Sequence, residues 1–463
     1  MPKDQRDWIR QLDEAGELLH IRKEVDTRVS MGALIYESLE KALLFENIKG
    51  YPGWTCLGQA PGNWRHFGLA FGVPKEKVVE EYARRIGQGP RPCTMVSSGP
   101  VKEVIWKGAD ADLTKIPVHV VWQGDGGPYI GAGLSVVRDP ETGVLNMAFH
   151  RMQVKGPRRT GMLARTETHI WRIYQKYEQQ NQAMPIAVIN GHHPFLYCAA
   201  SWSGSKEVSE LGLASTLMGE PLQMVKCETS DLEVPADAEI IIEGVVPPGV
   251  REAEGPFGEF QGYPVSAMGM NPVIDVNTIT MRREATYKTL TNFRHEGNSY
   301  MIFNMCAVIF DRVKALGGGI DLKTVHTSDD FFTMIIQMNP QYEGDARLAL
   351  MDVLTGPYLH PKIAIAIDDD VDIYDPADVI WAVSTRVNPS KDVFIVPETR
   401  GHPMDLSLQE VSVPGSDKWS RVGSKMGIDA TKPAAKTSPE QRERFRRNRP
   451  VGWGQVFLKD FIG

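Results

Sequence analysis

The spacing of apolar and polar residues changes along the chain, and it predicts mixed α/β secondary structure. In the first third, apolar residues at helical spacing follow Asp4 and recur from Lys75 to Ile86, with a short strand after the first helix. From about residue 118 the pattern becomes strand-like, with short connections that contain Gly, Pro and Asp. The strands predicted there are 129–138, 144–154, 185–190, 223–228, 238–245 and 272–282. Such short strands are typical of an antiparallel sheet or barrel.

Helices interrupt this strand-rich stretch, and a strand–helix alternation follows it. One helix is predicted to start near Thr166 and another near Ser205, the second ending at Gly219. Beyond residue 305 the predicted strands are 307–310, 333–338 and 362–367, and the predicted helices are 343–354, 376–385 and a last one after Ser438. This alternation indicates an α/β domain. We therefore expect three domains, at residues 1–112, 113–305 and 306–463.

The composition excludes several classes of protein. Of the 463 residues, 51 are Lys or Arg and 58 are Asp or Glu, and the formal net charge of −7 argues against a dedicated nucleic-acid-binding protein. Five cysteines without a Cys-x-x-Cys pair predict neither a disulfide framework nor a structural zinc site. We expect no membrane span, because no uncharged apolar run reaches about 18 residues. The charged N-terminal segment is not typical of a signal peptide, so we expect a cytoplasmic protein.

Two motif-like sequences have simpler structural explanations. His192 and His193 are adjacent on extended chain and should point apart, so they do not predict a metal site. The acidic run from Asp368 to Asp372 resembles the start of an EF-hand loop, but Ile373 stands where that loop needs Gly. We interpret the run as a solvated turn.

One group of polar residues contains more residues of catalytic and metal-binding types than a purely structural role requires. The segment LNMAFHRMQV holds Asn146, His150 and Arg151, and two helix starts hold His169 and Glu210. Asn, His and Glu together form a ligand set suited to Mn²⁺ or Mg²⁺. Taken singly, each residue also fits a structural role, such as a turn residue, a helix acid or an ion-pair partner.

The loop EGPFGE is the most unusual segment of the chain. Glu254 and Glu259 flank Gly, Pro, Phe and Gly, which favour a tight and partly apolar turn. We expect Phe257 to bury the loop and bring both carboxylates into a low dielectric. A neighbouring Arg would keep one carboxylate ionised, while burial would favour the protonated form of the other. That arrangement suits general acid catalysis.

At these segments the sequence resembles the UbiD-like decarboxylases, which use a prenylated flavin mononucleotide (prenylated FMN). The resemblance covers nearly the whole chain, and its specific motifs are EGPFGE followed by Gly-Tyr, VKCETSDLEVPADAEIIIEG and SKMGIDATKP. It implies an N-terminal α/β domain, a central split-barrel domain that binds the flavin, and a C-terminal α/β domain used in oligomerisation. The expected assembly is a homodimer or a higher homo-oligomer such as a hexamer.

The resemblance also implies a role for each polar residue. Asn146, His169 and Glu210 would bind a divalent metal, Mn²⁺ or Mg²⁺, that bridges the flavin phosphate, with K⁺ beside it. Lys425 would lie near that phosphate. The cofactor contacts implied in full are Asn146, Ala148, His150, Arg151, Thr168, His169, Ser201, Trp202, Glu210 and Lys425.

The implied reaction is a reversible, non-oxidative decarboxylation of an aromatic or heteroaromatic acid. Loss of CO₂ leaves a carbanion with no electron sink of its own, so a cofactor must accept the electrons. In the family, the substrate bonds covalently to the prenylated flavin, CO₂ leaves, and an acid protonates the same carbon. The family's catalytic network matches Glu254, Arg151 and Glu259: Glu259 would donate the proton, and Arg151 and Glu254 would position the carboxylate. A flavin prenyltransferase would supply the cofactor.

The segment LTNFRHEGNSYMIFN is the predicted wall of the substrate pocket. Arg294 and His295 could bind a polar or anionic substituent, and Asn298 or Asn304 a ring heteroatom; an incidental surface loop is the alternative. Furan-dicarboxylate-type relatives have a His near the position of His295. We favour a heteroaromatic or hydroxylated aromatic acid, with a phenolic acid of the protocatechuate or vanillate type, or an alkenyl acid, as the alternative.

Some observations stand apart from the family pattern. His150 replaces the Tyr or small residue of many relatives, and Thr168 replaces the Gln of ferulic acid-type relatives. Asn146 and Arg151 are five residues apart and would lie on opposite faces of one regular strand, so we expect a bulge or cofactor contacts from both sides.

Three other classes of protein stay open. A glycoside hydrolase could use the acidic pair Glu254 and Glu259. A split-barrel flavin oxidoreductase would bind ordinary flavin and transfer hydride. A non-catalytic assembly subunit would bind no cofactor.

Overall fold

The chain forms two compact units in the computed structural model, and each is described by itself. The structure describes residues 3–38, 40–164, 168–263, 269–291, 295–328, 330–412, 419–452, 455–457 and 460–461. The first unit contains Met1–Val308 and Asp329–Phe331, and the second contains Ile309–Ser328 and Phe332–Gly463. The predicted mixed α/β fold is confirmed.

The first unit holds the predicted strand-rich stretch. Its strands are β1 Leu18–Ile21, β2 Ala42–Phe45, β3 Thr55–Gly58, β4 Thr94–Met95, β5 Val104–Lys107, β6 Tyr129–Ile130, β7 Leu134–Arg138, β8 Leu145–Phe149, β9 Met152–Gly156, β10 Arg159–Met162, β11 Met184–Asn190, β12 Gln223–Lys226, β13 Glu233–Pro235, β14 Ile240–Val246, β15 Arg251–Glu254, β16 Gly269–Met281 and β17 Thr286–Lys288. Its helices are α1 Gln5–Glu14, α2 Met31–Glu37, α3 Trp64–Phe71, α4 Val78–Ile86, α5 His169–Gln179, α6 Pro194–Ala200, α7 Glu210–Met218 and the first part of α8 His295–Ala315.

The described strands of this unit form three sheets. The largest has the order β6-β9-β10-β16-β14-β11-β7-β8, with β15 and β5 also paired to β16. Its pairings are antiparallel, as the short connections predicted. A four-stranded sheet has the order β1-β2-β3-β17, and a small sheet the order β13-β12-β4. The main core packs residues of the large and the four-stranded sheets together with α2 and α5.

Local sequence explains the helix ends of this unit. Asp4 caps α1 by accepting a hydrogen bond from Asp7 N, and Trp8 and Leu12 are buried, as their spacing predicted. The helix α7 has every residue buried and ends at Gly219, which has a φ of 78° that favours glycine. A helix buried on all sides cannot shift without disturbing the core, so Glu210 at its first position is held firmly.

The second unit has the predicted strand–helix alternation. Its strands are β18 Asp321–Thr327, β19 Thr333–Asn339, β20 Ile363–Ile367, β21 Val393–Gly401, β22 Gln409–Ser412 and β23 Trp419–Ala430. Its helices are the end of α8, α9 Asp345–Thr355, α10 Pro376–Arg386, α11 Pro389–Asp392 and α12 Pro439–Glu443. The described strands form a sheet of order β18-β19-β20-β23-β21, in which β19, β20 and β23 are parallel neighbours and β22 pairs with β23. The apolar faces of β20 and α10 form its core.

The structure corrects several predicted elements. Residues 129–138 form two strands, β6 and β7, and the helix predicted near Ser205 begins at Glu210. Residues 144–154 form two strands, β8 and β9, that pair with different neighbours. Residues 307–310 were predicted as a strand but lie within α8. A short, fully apolar run has no period that separates a buried helix from a buried strand, so the prediction there was wrong. The helix predicted near Thr166 begins at His169, and Thr166 lies outside the described residues.

The structure also bears on the predictions about disulfides and membrane spans. The five cysteines are free thiols, and four of them are buried. None of the helices in the described ranges is both long and apolar enough to cross a membrane.

Candidate active site

The side chain of Arg151 lies between the two carboxylates of the EGPFGE loop. Its Nε and Nη2 atoms donate to the two oxygens of Glu254 at 3.0 and 3.1 Å, and Nη1 donates to Glu259 at 2.6 Å. All three side chains are buried or nearly so. The structure therefore brings together the three residues that the sequence predicted as a network.

The strand breaks between Asn146 and Arg151, so the two side chains need not point to opposite faces of the sheet. β8 ends at Phe149, His150 and Arg151 form a link, and β9 begins at Met152. Asn146 and Arg151 thus belong to different parts of the sheet, and the alternation of a single strand does not apply. A bulge was expected, and a change of strand replaces it.

Packing on Phe257 fixes the acidic loop. The Phe257 ring packs against Tyr129 at 4.6 Å between centroids, and the Arg151 guanidinium carbon lies 4.5 Å from the centre of its ring. The amide of Gly258 donates to Asp125 at 2.9 Å. A Cβ atom on Gly126 would lie 2.3 Å from the carbonyl oxygen of Gly255, so the loop needs glycine at this approach. The apolar ring buries the loop, as the sequence predicted.

The environment keeps Arg151 charged. Burial by itself lowers its pKa, but the hydrogen bonds and charges of Glu254 and Glu259 outweigh burial, and the net pKa is raised. Asn271 adds a further donor to Glu254 at 3.3 Å. The arrangement places one permanent cation against two acidic groups, which is a setting for proton transfer.

Asn146 and Glu210 are joined directly. The amide of Asn146 donates to Glu210 Oε1 at 3.0 Å, and the backbone N–H of Met147 donates to Oε2 at 2.8 Å. β8 supplies Asn146, and the start of the buried helix α7 supplies Glu210. Burial raises the pKa of Glu210 to about 7, although these hydrogen bonds oppose the shift. A buried carboxylate of this kind favours either a proton or a bound cation.

His169 occupies the first position of α5. Burial lowers its pKa, and the nearby positive charges of Arg172 and Lys206 lower it further. The neutral imidazole that results is the form able to bind a metal. The dipole of α5 favours the same neutral form, because His169 lies at the N-terminus of the helix.

A cavity of about 560 Å³ brings together Asn146, His169 and Glu210, whereas Arg151, Glu254 and Glu259 are not among the residues that line it. Its lining residues are Asn146, Ala148, Phe149, His150, Thr168, His169, Ile170, Ala200, Ser201, Trp202, Ser203, Gly204, Glu210 and Met301. Eight predicted cofactor contacts are among them, from β8, the link after it, the start of α5, the end of α6 and the start of α7. Burial lowers the pKa of one of these residues, His150, to about 4, so it lines the cavity as a neutral ring.

The cavity has walls that sequence reasoning missed. Phe149 and Ile170 are neighbours of predicted contacts, and strand or helix periodicity could have placed them. Ser203 and Gly204 follow Ser201 and Trp202 in a loop, where sequence gives no such signal. A Cβ on Gly204 would lie 2.0 Å from the Trp202 ring, so a larger residue here would displace that ring.

The predicted substrate residues are placed only in part. Asn304 lies on α8, where its amide donates to the carbonyl of Ser201 at 2.6 Å and its oxygen accepts from Tyr82 at 3.4 Å. Met301 lines the cavity. The predicted contacts Arg294, His295 and Asn298 have side chains outside the described residues.

Lys425 lies on β23 in the second unit. Its Nζ atom donates to the carbonyl of Leu354 at 2.8 Å, and burial lowers its pKa. Its predicted contact with the flavin phosphate stays a prediction.

The segments set aside in the sequence have structural partners. His192 contacts Asp237 at 2.9 Å, and His193 caps α6. Asp368, Asp369 and Asp370 cluster closely, but Asp368 and Asp370 pair with basic side chains that include Arg386 and Lys432. Asp368 is fully buried, so the interpretation of this run as a solvated turn is wrong for that residue, and its ion pairs indicate a structural role.

Three family models match the chain in order. The 3-octaprenyl-4-hydroxybenzoate carboxy-lyase N-terminal domain matches residues 9–86, the Rift-related domain of the same family matches 94–295, and the C-terminal domain matches 307–430. The predicted division at 1–112, 113–305 and 306–463 stays a prediction in its boundaries.

Known relatives agree with these matches. A phenolic acid decarboxylase of Bacillus subtilis (strain 168) is 31% identical over 96% of this chain and 94% of that protein. The UbiD-class enzyme HmfF from Pelotomaculum thermopropionicum, solved with FMN, is 36% identical, with a TM-score of 0.90 over 99% of this chain and 100% of that one. An evolved dimeric form of HmfF was solved with prFMN, at 34% identity and a TM-score of 0.87 over 99% and 100% of the two chains. The Klebsiella pneumoniae 3,4-dihydroxybenzoic acid decarboxylase AroY, in its apo form, is 26% identical, with a TM-score of 0.88 over 99% of both chains.

The fold and the matched domains define a carboxy-lyase. The chain belongs to the UbiD family.

Proposed function

We propose that the protein decarboxylates an aromatic or heteroaromatic acid, reversibly and without net oxidation, with prenylated FMN as cofactor. The observation that carries this proposal is the contact of Arg151 with both Glu254 and Glu259, immediately after His150 on the cavity wall. A relative solved with prFMN supports the choice of flavin. The relatives named for phenolic and dihydroxybenzoic acids support the class of substrate.

The residues that line the cavity would hold the flavin together with a divalent metal. Asn146, His169 and Glu210 offer an oxygen or a nitrogen each on its wall, and this set suits Mn²⁺ or Mg²⁺. Burial holds the Glu210 carboxyl near the point of ionisation, so a cation would bind in exchange for its proton. Ala148, His150, Thr168, Ser201 and Trp202 would complete the contacts, K⁺ would bind beside the divalent ion, and Lys425 would approach the phosphate.

The chain's own groups hold the substrate and move the proton. When bound, prenylated FMN would supply the electron sink for the electron pair that CO₂ leaves behind on the substrate carbon. Arg151 attracts and orients the anionic carboxylate, and Glu254 fixes Arg151 through two hydrogen bonds. Glu259, on the remaining nitrogen of Arg151, donates the proton to the carbon that lost CO₂. The same groups in reverse order serve carboxylation at high CO₂.

The proposed class of substrate is based on the residues that the structure shows lining the cavity. Phe149, Ile170 and Met301 suit a planar ring, and Ser203 is a small polar neighbour. We favour a heteroaromatic or hydroxylated aromatic acid, with a phenolic or alkenyl acid as the alternative. Arg294, His295, Asn298 and Asn304 stay proposed as substrate contacts.

The wider assembly is also proposed. A flavin prenyltransferase supplies the cofactor, and the chain forms a homodimer or a larger homo-oligomer through its C-terminal domain. A relative solved in a dimeric form supports self-association.

To test this proposal, the protein is produced together with a flavin prenyltransferase. The bound cofactor is identified by its absorbance spectrum and mass, and CO₂ release is measured over a panel of phenolic, heteroaromatic and alkenyl acids. The proposal expects prenylated FMN and turnover of at least one acid. Bound prenylated FMN without decarboxylation or solvent exchange of any acid would leave a binding or assembly role. Ordinary FMN with hydride transfer would indicate an oxidoreductase.

A further inference from the structure

A fully buried ion pair lies outside the residues discussed so far. Lys288 is 1% exposed and Glu296 is 0% exposed, and the Lys288 ammonium contacts the Glu296 carboxylate directly. Burial lowers the pKa of Lys288 and raises that of Glu296, so desolvation acts against both charges. A buried pair of this kind is weak support for stability by itself, because hydrophobic residues of similar size often replace such pairs without loss. Its position therefore needs another explanation.

The lysine is anchored to two strands. Lys288 is the last residue of β17, and the Asn190 side chain at the end of β11 holds its backbone with two hydrogen bonds of 2.9 Å. The Lys288 ammonium also donates to the carbonyl of Thr289 at 3.2 Å. The Lys288 backbone is thus tied to β11, and its ammonium is held by Thr289 and Glu296.

The glutamate is anchored to the first turn of α8. Its backbone N–H donates to the Gln59 side chain at 3.3 Å, and the nearby backbone amides of Gln59 and Ala60 oppose the rise in its carboxyl pKa. Gln59 has a φ of 54°, which is unusual for a residue with a side chain, and its amide group donates to the carbonyl of Ile35 at 3.0 Å. Glu296 therefore joins the start of α8 to the turn after β3.

The next turns of α8 reach the cavity. Met301 lines it directly. Tyr300 stacks on Tyr197 at 5.3 Å and lies 5.6 Å from Phe149, another lining residue. Asn304 holds the carbonyl of Ser201 at 2.6 Å. A shift at the start of α8 would move these wall contacts together, because a helix transmits displacement along its axis.

We propose that Lys288 and Glu296 are positioning residues, which set the start of α8 and through it the substrate wall formed by Phe149 and Met301. The proposal rests on the proposed function, since it assigns that wall to the substrate. The pair touches neither the acidic loop nor the metal-binding groups, so its loss affects substrate fit and leaves cofactor retention intact.

The test separates positioning from stability. Glu296→Gln alone leaves the Lys288 ammonium buried without its counter-charge and should destabilise the protein. The double variant Lys288→Met/Glu296→Gln removes both buried charges and keeps side chains of similar size, so its thermal stability should return close to wild type. We expect its KM for the aromatic acid to stay raised by about tenfold, with bound flavin unchanged and kcat little affected. Hydrogen exchange should be faster in peptides that cover residues 299–308.

A comparable pair provides the control. Arg282 and Asp4 contact each other at 2.7 Å, and Arg282→Met/Asp4→Asn neutralises them while keeping a cap for α1. This control should retain wild-type KM and exchange in α8. A Lys288→Met/Glu296→Gln variant with wild-type KM and wild-type exchange would overturn the proposal. If the wild-type enzyme released no CO₂ from any acid, the proposed function would fail, and the exchange of residues 299–308 would still decide whether the pair holds α8.

Discussion

Arg151 Nη1 lies 2.6 Å from Glu259 Oε1, while the other side of the same guanidinium binds Glu254 through two hydrogen bonds. One arginine thus contacts both acids of a loop that the Phe257 ring buries. Glu254 holds the Arg151 guanidinium through two hydrogen bonds, whereas Glu259 is held by only one, which constrains its carboxylate less. This asymmetry supports the assignment of the proton to Glu259, which the family resemblance implies.

Replacing Arg151 with lysine should damage both stability and activity. A lysine cannot contact Glu254 through two nitrogens and reach Glu259 as well, so two buried acids lose their partner. We expect the free energy of unfolding to fall by about 3 kcal/mol and CO₂ release to fall by about 100-fold. Urea titration and a CO₂ assay measure the two effects.

Arg159→Lys is the matched control for this change. Arg159 also bridges two acids, Glu252 and Asp275, at 2.7 Å each, but its side chain is 41% exposed. An exposed pair contributes about 1 kcal/mol or less, so this variant should resemble wild type. Equal losses in both variants would contradict the special role of Arg151.

Removing the charge of Glu210 should weaken metal binding. Glu210→Gln keeps an oxygen acceptor for Asn146 but offers a divalent cation no negative charge. We expect Mn²⁺ affinity to fall at least about tenfold, with less flavin retained after purification. Glu207→Gln, an exposed neighbour, should leave both unchanged. Metal content by mass spectrometry and flavin absorbance measure the outcome; Mn²⁺ and flavin at wild-type levels in Glu210→Gln would argue against this metal site.

Buried histidines should make the protein less stable in weak acid. Burial lowers the pKa of His119 and His150 to about 4 and that of His193 to about 3, against 6.5 for an unperturbed ring. Between these values and 6.5 the unfolded chain binds more protons than the folded one, so stability falls as the pH falls below 6.5. Each of these residues contributes about 1 kcal/mol per pH unit.

The variant His193→Asn tests this dependence. Asparagine can cap α6 in place of His193, whose Nδ1 atom accepts from Phe195 N at 3.3 Å, but it does not titrate. Urea titrations at pH 7.5 and 5.5 should show a smaller loss of stability for the variant than for wild type. An identical pH dependence would mean that His193 is not neutral in the folded protein.

Much of the fold follows from local pattern. The antiparallel strands of the first unit have alternating or apolar sequences with short turns, and helices such as α1 and α7 have clear caps or glycine stops. Two failures have physical reasons. A fully apolar run cannot distinguish the buried middle of α8 from a strand. The break after Phe149 depends on which neighbour each half of 144–154 pairs with, and pairing is a tertiary property that a single sequence does not encode locally.

Less of the candidate site than of the fold could be predicted from the sequence. Motif matching placed Asn146, His169 and Glu210 in one cavity, although they are far apart in the chain. The buried Lys288–Glu296 pair was not predicted, because each residue by itself reads as an ordinary surface charge. Its meaning depends on burial and on contacts with Gln59 and Asn190, which only the folded chain brings together.

The most direct measurement compares Glu259→Gln with wild type after both are loaded with prenylated FMN. Glu252→Gln, on β15 and paired with Arg159, is the control. Cofactor occupancy is measured by absorbance and mass, and CO₂ release is measured with the best acid of the panel. The account predicts equal occupancy in all three proteins, turnover by wild type and Glu252→Gln, and loss of decarboxylation in Glu259→Gln. A fully active Glu259→Gln enzyme would contradict the assignment of the proton to Glu259.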